Sequence, residues 1–188
     1  MAKLGGKQAD QPESDEELML RFGRGELPAF EELYARHSAR VWRYIRRSVD
    51  DAAVADELKQ ETWLRVIAHA RGYAPAARFT TWLFTVARSR VVDAVRARHP
   101  RAELEGDALH ADGQAGPFES AVRSELGNHL LVALASLPHP QREAFLLRAE
   151  GELSVAEIAS VTGVPLETAG SRLRYARAAL RLALEVHA

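Results

Sequence analysis

The sequence predicts an all-α protein made of two small helical domains joined by a flexible linker. Apolar residues recur at helical spacing along most of the 188 residues, and no alternating run typical of a strand interrupts them. Residues 99–116 are acidic, rich in Gly and Ala, and contain too few large apolar side chains to pack. We therefore expect a flexible tail over 1–13, a domain over 14–98, an acidic linker over 99–116 and a second domain over 117–188.

The first domain is predicted to begin with two helices. Ser14 and Glu17 have the spacing of a capping box, and Gly23 ends the helix that they open. Pro28 suits the first turn of the second helix. His37 falls on the apolar stripe of that helix, so we interpret it as a packed side chain.

Two more helices complete the predicted first domain. The third follows Asp51, with apolar or small residues at every fourth position up to Val66. Thr80 is the predicted N-cap of the fourth helix. Trp82 lies at helical spacing beside other apolar residues of this helix, which favours a core position over a role in base stacking.

The second domain is predicted to end in a helix-turn-helix. Its first helix begins at Pro117 and a short helix follows Pro138. Ser154 and Glu157 form a second capping box, and Gly163 supplies the positive φ that a tight interhelical turn requires. The last helix has an apolar stripe of Leu166, Ala169, Leu173, Ala176, Leu180 and Leu184. Bare helix pairs are common, so spacing alone leaves DNA binding and a simple helical hairpin equally open.

The net charge of −1 is an average over segments that differ sharply. Residues 21–100 contain 15 basic and nine acidic residues, whereas residues 101–126 contain two basic and six acidic residues. Arginines concentrate in residues 78–101 and again in residues 168–188. Two basic stretches separated by an acidic connector are typical of a bipartite nucleic-acid-binding protein.

Composition excludes several classes of function. The chain has no Cys, which excludes disulfides, thiolate metal sites and thiol catalysis. No apolar run approaches the roughly 20 residues of a membrane span, and no apolar stretch follows the N-terminal lysines as in a signal peptide. The seven His lack an i, i+4 pair, and no phosphate loop or nucleophile elbow is present. We expect a cytoplasmic protein that is not an enzyme, with no metal, no cofactor and no membrane insertion of its own.

Three sequence blocks resemble conserved regions of bacterial sigma factors. Residues 56–66 read DELKQETWLRV and residues 79–98 read FTTWLFTVARSRVVDAVRAR, and both resemble the second region. Residues 137–159, LPHPQREAFLLRAEGELSVAEIA, together with the helix that follows them, resemble the fourth region. Having only these two regions with a short linker is similar to the extracytoplasmic-function group. The resemblance implies a two-domain transcription initiation factor whose partners are core RNA polymerase, promoter DNA and an anti-sigma factor.

The resemblance also implies three sets of site residues. Core polymerase would be bound by Asp56, Glu57, Gln60, Glu61 and Leu64. The minus-ten element would be recognised and melted by Arg78, Arg88, Ser89, Arg90, Arg96 and Arg98. The minus-thirty-five element would be read by Glu167, Thr168, Ser171, Arg172, Arg174 and Arg177.

Two positions depart from the pattern of the family. Ser89 stands where many relatives have Asn, and a hydroxyl offers fewer donors than an amide to a flipped base. Gly170 stands where a Lys is usual, which removes a phosphate contact and weakens the helix by roughly 1 kcal/mol relative to Ala. The alternative is a stand-alone helix-turn-helix regulator, which would bind duplex DNA as a dimer without polymerase.

Overall fold

The structure is a computed structural model that describes residues 13–98 and 125–185, without the side chains of residues 98, 125 and 126. These residues form eight α-helices and one 3₁₀ turn, with no strand among them, as the sequence predicts. The helices are α1 (Asp15–Gly23), α2 (Leu27–Arg46), α3 (Ala52–His69), α4 (Phe79–Arg98), α5 (Glu125–Ala135), α6 (His139–Ala149), α7 (Val155–Thr162) and α8 (Leu166–Glu185). The 3₁₀ turn is Ala70–Gly72. The linker over 99–116 and the predicted helix start at Pro117 lie outside the described residues.

The capping box at the start of α1 forms as predicted. The hydroxyl of Ser14 accepts a hydrogen bond from the Glu17 amide at 3.2 Å, and the Glu17 carboxylate accepts one from the Ser14 amide at 3.0 Å. At the other end, a Cβ on Gly23 would lie 2.4 Å from the Ala70 carbonyl oxygen. Glycine therefore allows α1 to pack directly on the 3₁₀ turn.

Helices α1 to α4 surround a core in which His37 is 3% exposed, as its place on the apolar stripe predicts. Its Nε2 lies 2.7 Å from a carboxylate oxygen of Asp15. Burial disfavours the charged Asp15 carboxylate, but hydrogen bonds and charge from His37 and Arg36 outweigh it, so the pKa of Asp15 lies below its usual value. The packed side chain of His37 thus also makes a buried polar contact between α1 and α2.

The predicted N-cap at Thr80 is wrong, because α4 begins at Phe79 and Thr80 is its second residue. The amide of Phe79 donates to the carboxylate of Glu16 at 2.6 Å, so α1 caps α4 across the fold. Thr80 is buried inside the first turn of α4. Trp82 is half-buried, and its ring lies 5.5 Å from that of Tyr73, which agrees with a place at the edge of the core.

Helices α5 to α8 form the second domain and contain the predicted helix-turn-helix. Ser154 and Glu157 cap α7 reciprocally, and Gly163 has φ of 70° in the turn between α7 and α8. The apolar stripe of α8 is buried at Ala169, Leu173, Ala176 and Leu180. Leu166 is 57% exposed, so its predicted core position is wrong. It is the first residue of α8, and side chains tilt toward the N-terminus of a helix, which carries it past the contact with α6.

The two domains pack against each other rather than standing apart. One apolar cluster contains Tyr44 and Phe84 of the first domain together with Leu147 and Leu153 of the second. A Cβ on Gly151 would lie 3.3 Å from Cγ of Phe84, which places the α6–α7 turn directly on α4. No helix within the two described ranges is long and apolar enough to cross a membrane.

Candidate nucleic-acid and partner interfaces

The five residues predicted to bind polymerase follow one side of α3. The opposite side of this helix is buried at Ala55, Leu58, Thr62 and Val66. Three of the five, Asp56, Glu57 and Gln60, are exposed, Glu61 is half-buried and Leu64 is 63% exposed. The exposed side of α3 thus presents an apolar side chain among carboxylates.

Asp56 and Glu61 also have contacts within the first domain. The indole Nε1 of Trp42 donates to a carboxylate oxygen of Asp56 at 2.9 Å. The guanidinium of Arg90 lies 4.0 Å from the carboxylate of Glu61. Glu57 and Leu64 are therefore the cleaner probes of this surface.

The residues predicted for the minus-ten element lie along α4 and just before it, but they do not share one environment. Ser89 and Arg96 are exposed. Arg90 is paired with Asp93 of the same helix at 2.6 Å. Arg98 is the last residue of α4, and its side chain lies outside the described part of the chain. Only part of this set therefore forms an open basic surface.

Arg88 faces the second domain, and Arg78 lies near it although its side chain remains 55% exposed. The Arg88 Nε donates to the Glu143 carboxylate at 2.9 Å, and this carboxylate is only 9% exposed. The guanidinium of Arg78 lies 3.7 Å from the carboxylate of Glu157. Thr81, one turn into α4, donates to the same Glu157 carboxylate at 2.6 Å. Both predicted DNA-binding arginines are thus paired with carboxylates of the helix-turn-helix domain.

These contacts affect the acidity of the groups involved. Partial burial disfavours the charged form of Glu157, but hydrogen bonds from Thr81 and Ser154 and the charge of Arg78 outweigh it, so the pKa of Glu157 lies below its usual value. Burial, with a further contribution from the nearby Glu143 carboxylate, raises the pKa of Tyr44. Glu157 is therefore a charged carboxylate at neutral pH and can pair with the guanidinium of Arg78.

The residues predicted to read the minus-thirty-five element lie on the outer face of α8. Three of them, Glu167, Arg174 and Arg177, are exposed, while Thr168, Ser171 and Arg172 are half-buried. The hydroxyl of Ser171 donates to the Thr168 carbonyl at 2.9 Å. The guanidinium of Arg174 lies 5.1 Å from the ring centroid of Tyr175. The helix thus presents polar and cationic groups on one side, as the predicted role requires.

An arginine cluster on α2 and at its end was not predicted. Arg43 and Arg47 both donate to the carboxylate of Glu150, Arg43 through Nε at 2.8 Å. The Nε of Arg40 donates to the Glu150 carbonyl at 2.6 Å. The Nη2 of Arg40 lies 3.1 Å from the carboxylate of Glu152. The spacing i, i+3, i+7 of these arginines would have indicated a single helix face. Nothing local indicates that a carboxylate over 100 residues away would cover it.

Within the described residues, no group of three or more His, Asp or Glu is arranged to hold a metal ion. The clusters of charged side chains are instead ion pairs between arginines and carboxylates. In these pairs a guanidinium group binds a carboxylate. A phosphodiester of DNA could take the place of that carboxylate.

The chain matches two sequence models of protein families. One, described as Sigma-70 region 2, matches residues 33–101. The other, described as Sigma-70, region 4, matches residues 128–180. The first match contains α3 and α4, and the second contains α6, α7 and most of α8.

Curated relatives cover most of the chain. The RNA polymerase sigma factor CarQ of Myxococcus xanthus is 37% identical over 147 residues, which are 78% of this chain and 83% of that protein. The ECF RNA polymerase sigma factor SigL of Mycobacterium tuberculosis is 36% identical over 159 residues, which are 81% of this chain and 87% of that protein.

Solved structures share the fold. The sigma factor RpoE in complex with the anti-sigma factor NepR from Bartonella quintana superposes with a TM-score of 0.68 at 22% identity, covering 84% of this chain and 97% of that one. CnrH in complex with the cytosolic domain of CnrY gives a TM-score of 0.64 at 21% identity, covering 94% and 100%. At these identities the likeness concerns the helical architecture alone.

Proposed function

The chain belongs to the extracytoplasmic-function group of RNA polymerase sigma factors, and from this membership we propose how its surfaces direct polymerase to promoters. The observation that carries the proposal is the order of the two regions, each matched over a helical domain with an exposed polar face. Such proteins are transcription initiation factors. The nucleotide chemistry would belong to the polymerase, so this chain would act in the cytoplasm as a non-enzymatic subunit.

Helix α3 is the proposed contact with core polymerase. Asp56, Glu57, Gln60, Glu61 and Leu64 would form this surface. The exposed Leu64 would be desolvated in the complex, and the surrounding carboxylates would select a basic partner surface. This assignment separates the polymerase surface from the helix faces that hold the fold together.

Helices α4 and α8 are the proposed contacts with the promoter. Along α4, Arg78, Arg88, Arg90, Arg96 and Arg98 would hold phosphates of the melted minus-ten strand, with Ser89 at the turned-out base. At the start of α8, Glu167, Thr168, Ser171 and Arg172 would meet base edges of the minus-thirty-five element, with phosphates held by Arg174 and Arg177. Reading a strand after melting requires unstacked bases, which the polymerase-bound state would provide.

An anti-sigma factor is the further partner that we propose. One solved structure of similar fold is a sigma factor in complex with an anti-sigma factor. In this chain, exposed apolar side chains at Leu27, Leu64 and Val132 would be available to such a partner. Occupation of Leu64 would compete directly with polymerase.

Reconstitution with core RNA polymerase tests the proposal. The chain should co-purify with core enzyme, and sequencing of the resulting transcripts should reveal one shared promoter pattern. Glu57→Lys should abolish binding to core polymerase while leaving the helical circular dichroism unchanged. Glu31→Lys, a charge reversal at another exposed position, on α2, is the matched control and should bind as the unmodified chain does.

Failure has a distinct signature. If the chain neither binds core polymerase nor supports initiation at defined sites, the proposal is wrong. Tight, sequence-specific binding of the isolated chain to duplex DNA would identify a stand-alone regulator instead. Polymerase binding by Glu57→Lys at the level of its control would remove α3 from the interface.

A further inference from the structure

The contact between the two domains is built from opposite charges. Within the described ranges, five arginines of the first domain face four glutamates of the second across this contact. The arginines are Arg40, Arg43, Arg47, Arg78 and Arg88. The glutamates are Glu143, Glu150, Glu152 and Glu157.

Glu150 is the centre of this contact. Its side chain is 7% exposed, and it accepts hydrogen bonds from Arg43 and Arg47. A carboxylate so far removed from water requires cationic partners, because an unpaired buried charge is strongly unfavourable. Its partners belong to the other domain, so the buried state of Glu150 exists only while the domains are together.

The same contact covers part of the proposed promoter surface. Glu143 occupies the Nε edge of Arg88, and Glu157 lies against both Arg78 and Thr81. A guanidinium edge that holds a carboxylate cannot hold a phosphate at the same time. The carboxylates also place negative charge where a phosphodiester would approach, which repels it.

Apolar packing holds the same faces together. Phe84 is fully buried between Thr81 and Arg88 along α4, and it lies in the cluster that contains Leu147 and Leu153. The α6–α7 turn approaches Phe84 closely at Gly151. Ion pairs select the docking orientation, and burial of Phe84 adds the non-directional attraction.

We propose that the free chain masks part of its own minus-ten surface, with Glu143 and Glu157 in the place of DNA phosphates and Glu150 holding the domains closed on Arg40, Arg43 and Arg47. This inference rests on the proposed function, since it concerns the regulation of the same surface. Promoter binding then requires the domains to separate, and binding to polymerase supplies the free energy of separation. The apparent affinity of the free chain for the promoter strand is reduced by the fraction of molecules that are open.

Interdomain distance is the first readout. The chain has no Cys, so dyes can be attached only at introduced cysteines, Ala68→Cys on α3 and Ala178→Cys on α8, both at exposed positions. Energy transfer between the dyes should fall when Glu143→Gln is combined with Glu150→Gln. It should be unchanged when Glu31→Gln is combined with Glu185→Gln, two exposed carboxylates on α2 and α8 whose loss changes the net charge equally.

Binding of a single-stranded oligonucleotide is the second readout. The probe is the non-template strand of the minus-ten element that holoenzyme transcripts define. Arg43→Gln with Arg47→Gln removes two positive charges but releases Glu150, so we expect the free chain to bind the probe about tenfold more tightly, the effect of a tenfold larger open fraction. A simple basic surface would give the opposite sign, since fewer positive charges weaken binding to phosphates.

Two results would overturn the inference. One is weaker or unchanged binding of the probe by Arg43→Gln with Arg47→Gln. The other is unchanged energy transfer when Glu143→Gln is combined with Glu150→Gln. Should a variant lose helical structure, raising the salt concentration with the unmodified chain gives the same test, because salt screens the ion pairs. Energy transfer that stays constant would then contradict the inference. Initiation by the unmodified holoenzyme is measured separately, so failure of the proposed function is distinguishable.

Discussion

The Nε of Arg88 donates to the carboxylate of Glu143 across 2.9 Å, although the two residues belong to different domains. Arg88 lies on the helix proposed to hold the melted strand, and Glu143 lies on a helix that supports the helix-turn-helix. Whether Glu143 holds the guanidinium of Arg88 thereby depends on the relative position of the two domains. A contact that either domain would lack alone thus connects the two proposed promoter surfaces.

Arg174→Ala should weaken binding of the holoenzyme to promoters about equally across sequences. Arg174 is exposed on α8 and is proposed to hold a phosphate, a contact that carries no base information. The dependence of log K on log salt should become shallower by roughly 0.9, the value for one phosphate contact. Arg24→Ala, at an exposed site far along the chain, should leave the slope unchanged. A loss confined to certain base substitutions would instead identify a base contact.

Gly170→Lys should both stabilise the second domain and strengthen binding to the minus-thirty-five element. A Cβ at this position would lie 3.7 Å from Cγ1 of Val155, an ordinary contact, so a side chain fits. Helix propensity should add about 1 kcal/mol to the free energy of unfolding, measured by urea denaturation. Gly170→Ala should give the stability gain without the change in DNA binding. A loss of stability in both variants would contradict the prediction.

His139→Gln should remove part of the pH dependence of folding. Burial lowers the pKa of His139 below 6.5, helped by the nearby Arg142, Arg88 and Arg172 and opposed by Glu143. The unfolded chain therefore takes up a proton that the folded chain resists, so the contribution of His139 to stability is complete above pH 6.5 and is lost as the pH falls below it. Denaturation between pH 7.5 and about 5 should show a smaller decline in the variant. An equal decline in both proteins would exclude His139.

Gly23→Ala should destabilise the first domain by about 1–3 kcal/mol, the usual cost of overpacking. The added Cβ would lie 2.4 Å from the Ala70 carbonyl oxygen, and neither backbone can move without separating α1 from the 3₁₀ turn. Gly72→Ala is the matched control, because no atom lies within 4 Å of its Cβ position. Thermal unfolding should therefore shift downward for Gly23→Ala and remain in place for Gly72→Ala. Equal shifts would contradict this account.

Features set by neighbours in the chain could be predicted from the sequence. The capping boxes at Ser14 and Ser154 and the positive φ of Gly163 depend on residues within one turn of each helix. The start of α4 could not be predicted, because its first amide is capped by Glu16, which is 63 residues away.

The polar surfaces of the helices could likewise be predicted only where they depend on neighbours in the chain. Helical periodicity identified which sides of α3 and α8 are polar, since one side must be buried. Periodicity gives no information on what covers a polar side. The covering of Arg88 by Glu143 and the clustering of three arginines around Glu150 depend on contacts over 55 and more than 100 residues. Contacts between residues so far apart in the sequence are visible only in the folded structure.

The buried Glu150 has a consequence for exchanging domains between members of this family. Arg43 and Arg47 pair with its carboxylate and Arg40 binds its carbonyl, so a chimaera that receives this fourth region without these three arginines inherits a buried acidic residue with no matching cations. Transplanting the triplet with its acid should preserve the native domain pairing, whereas mismatched halves should behave as constitutively separated modules. Substitutions at Glu150 and at the three arginines should accordingly occur together among members of the family.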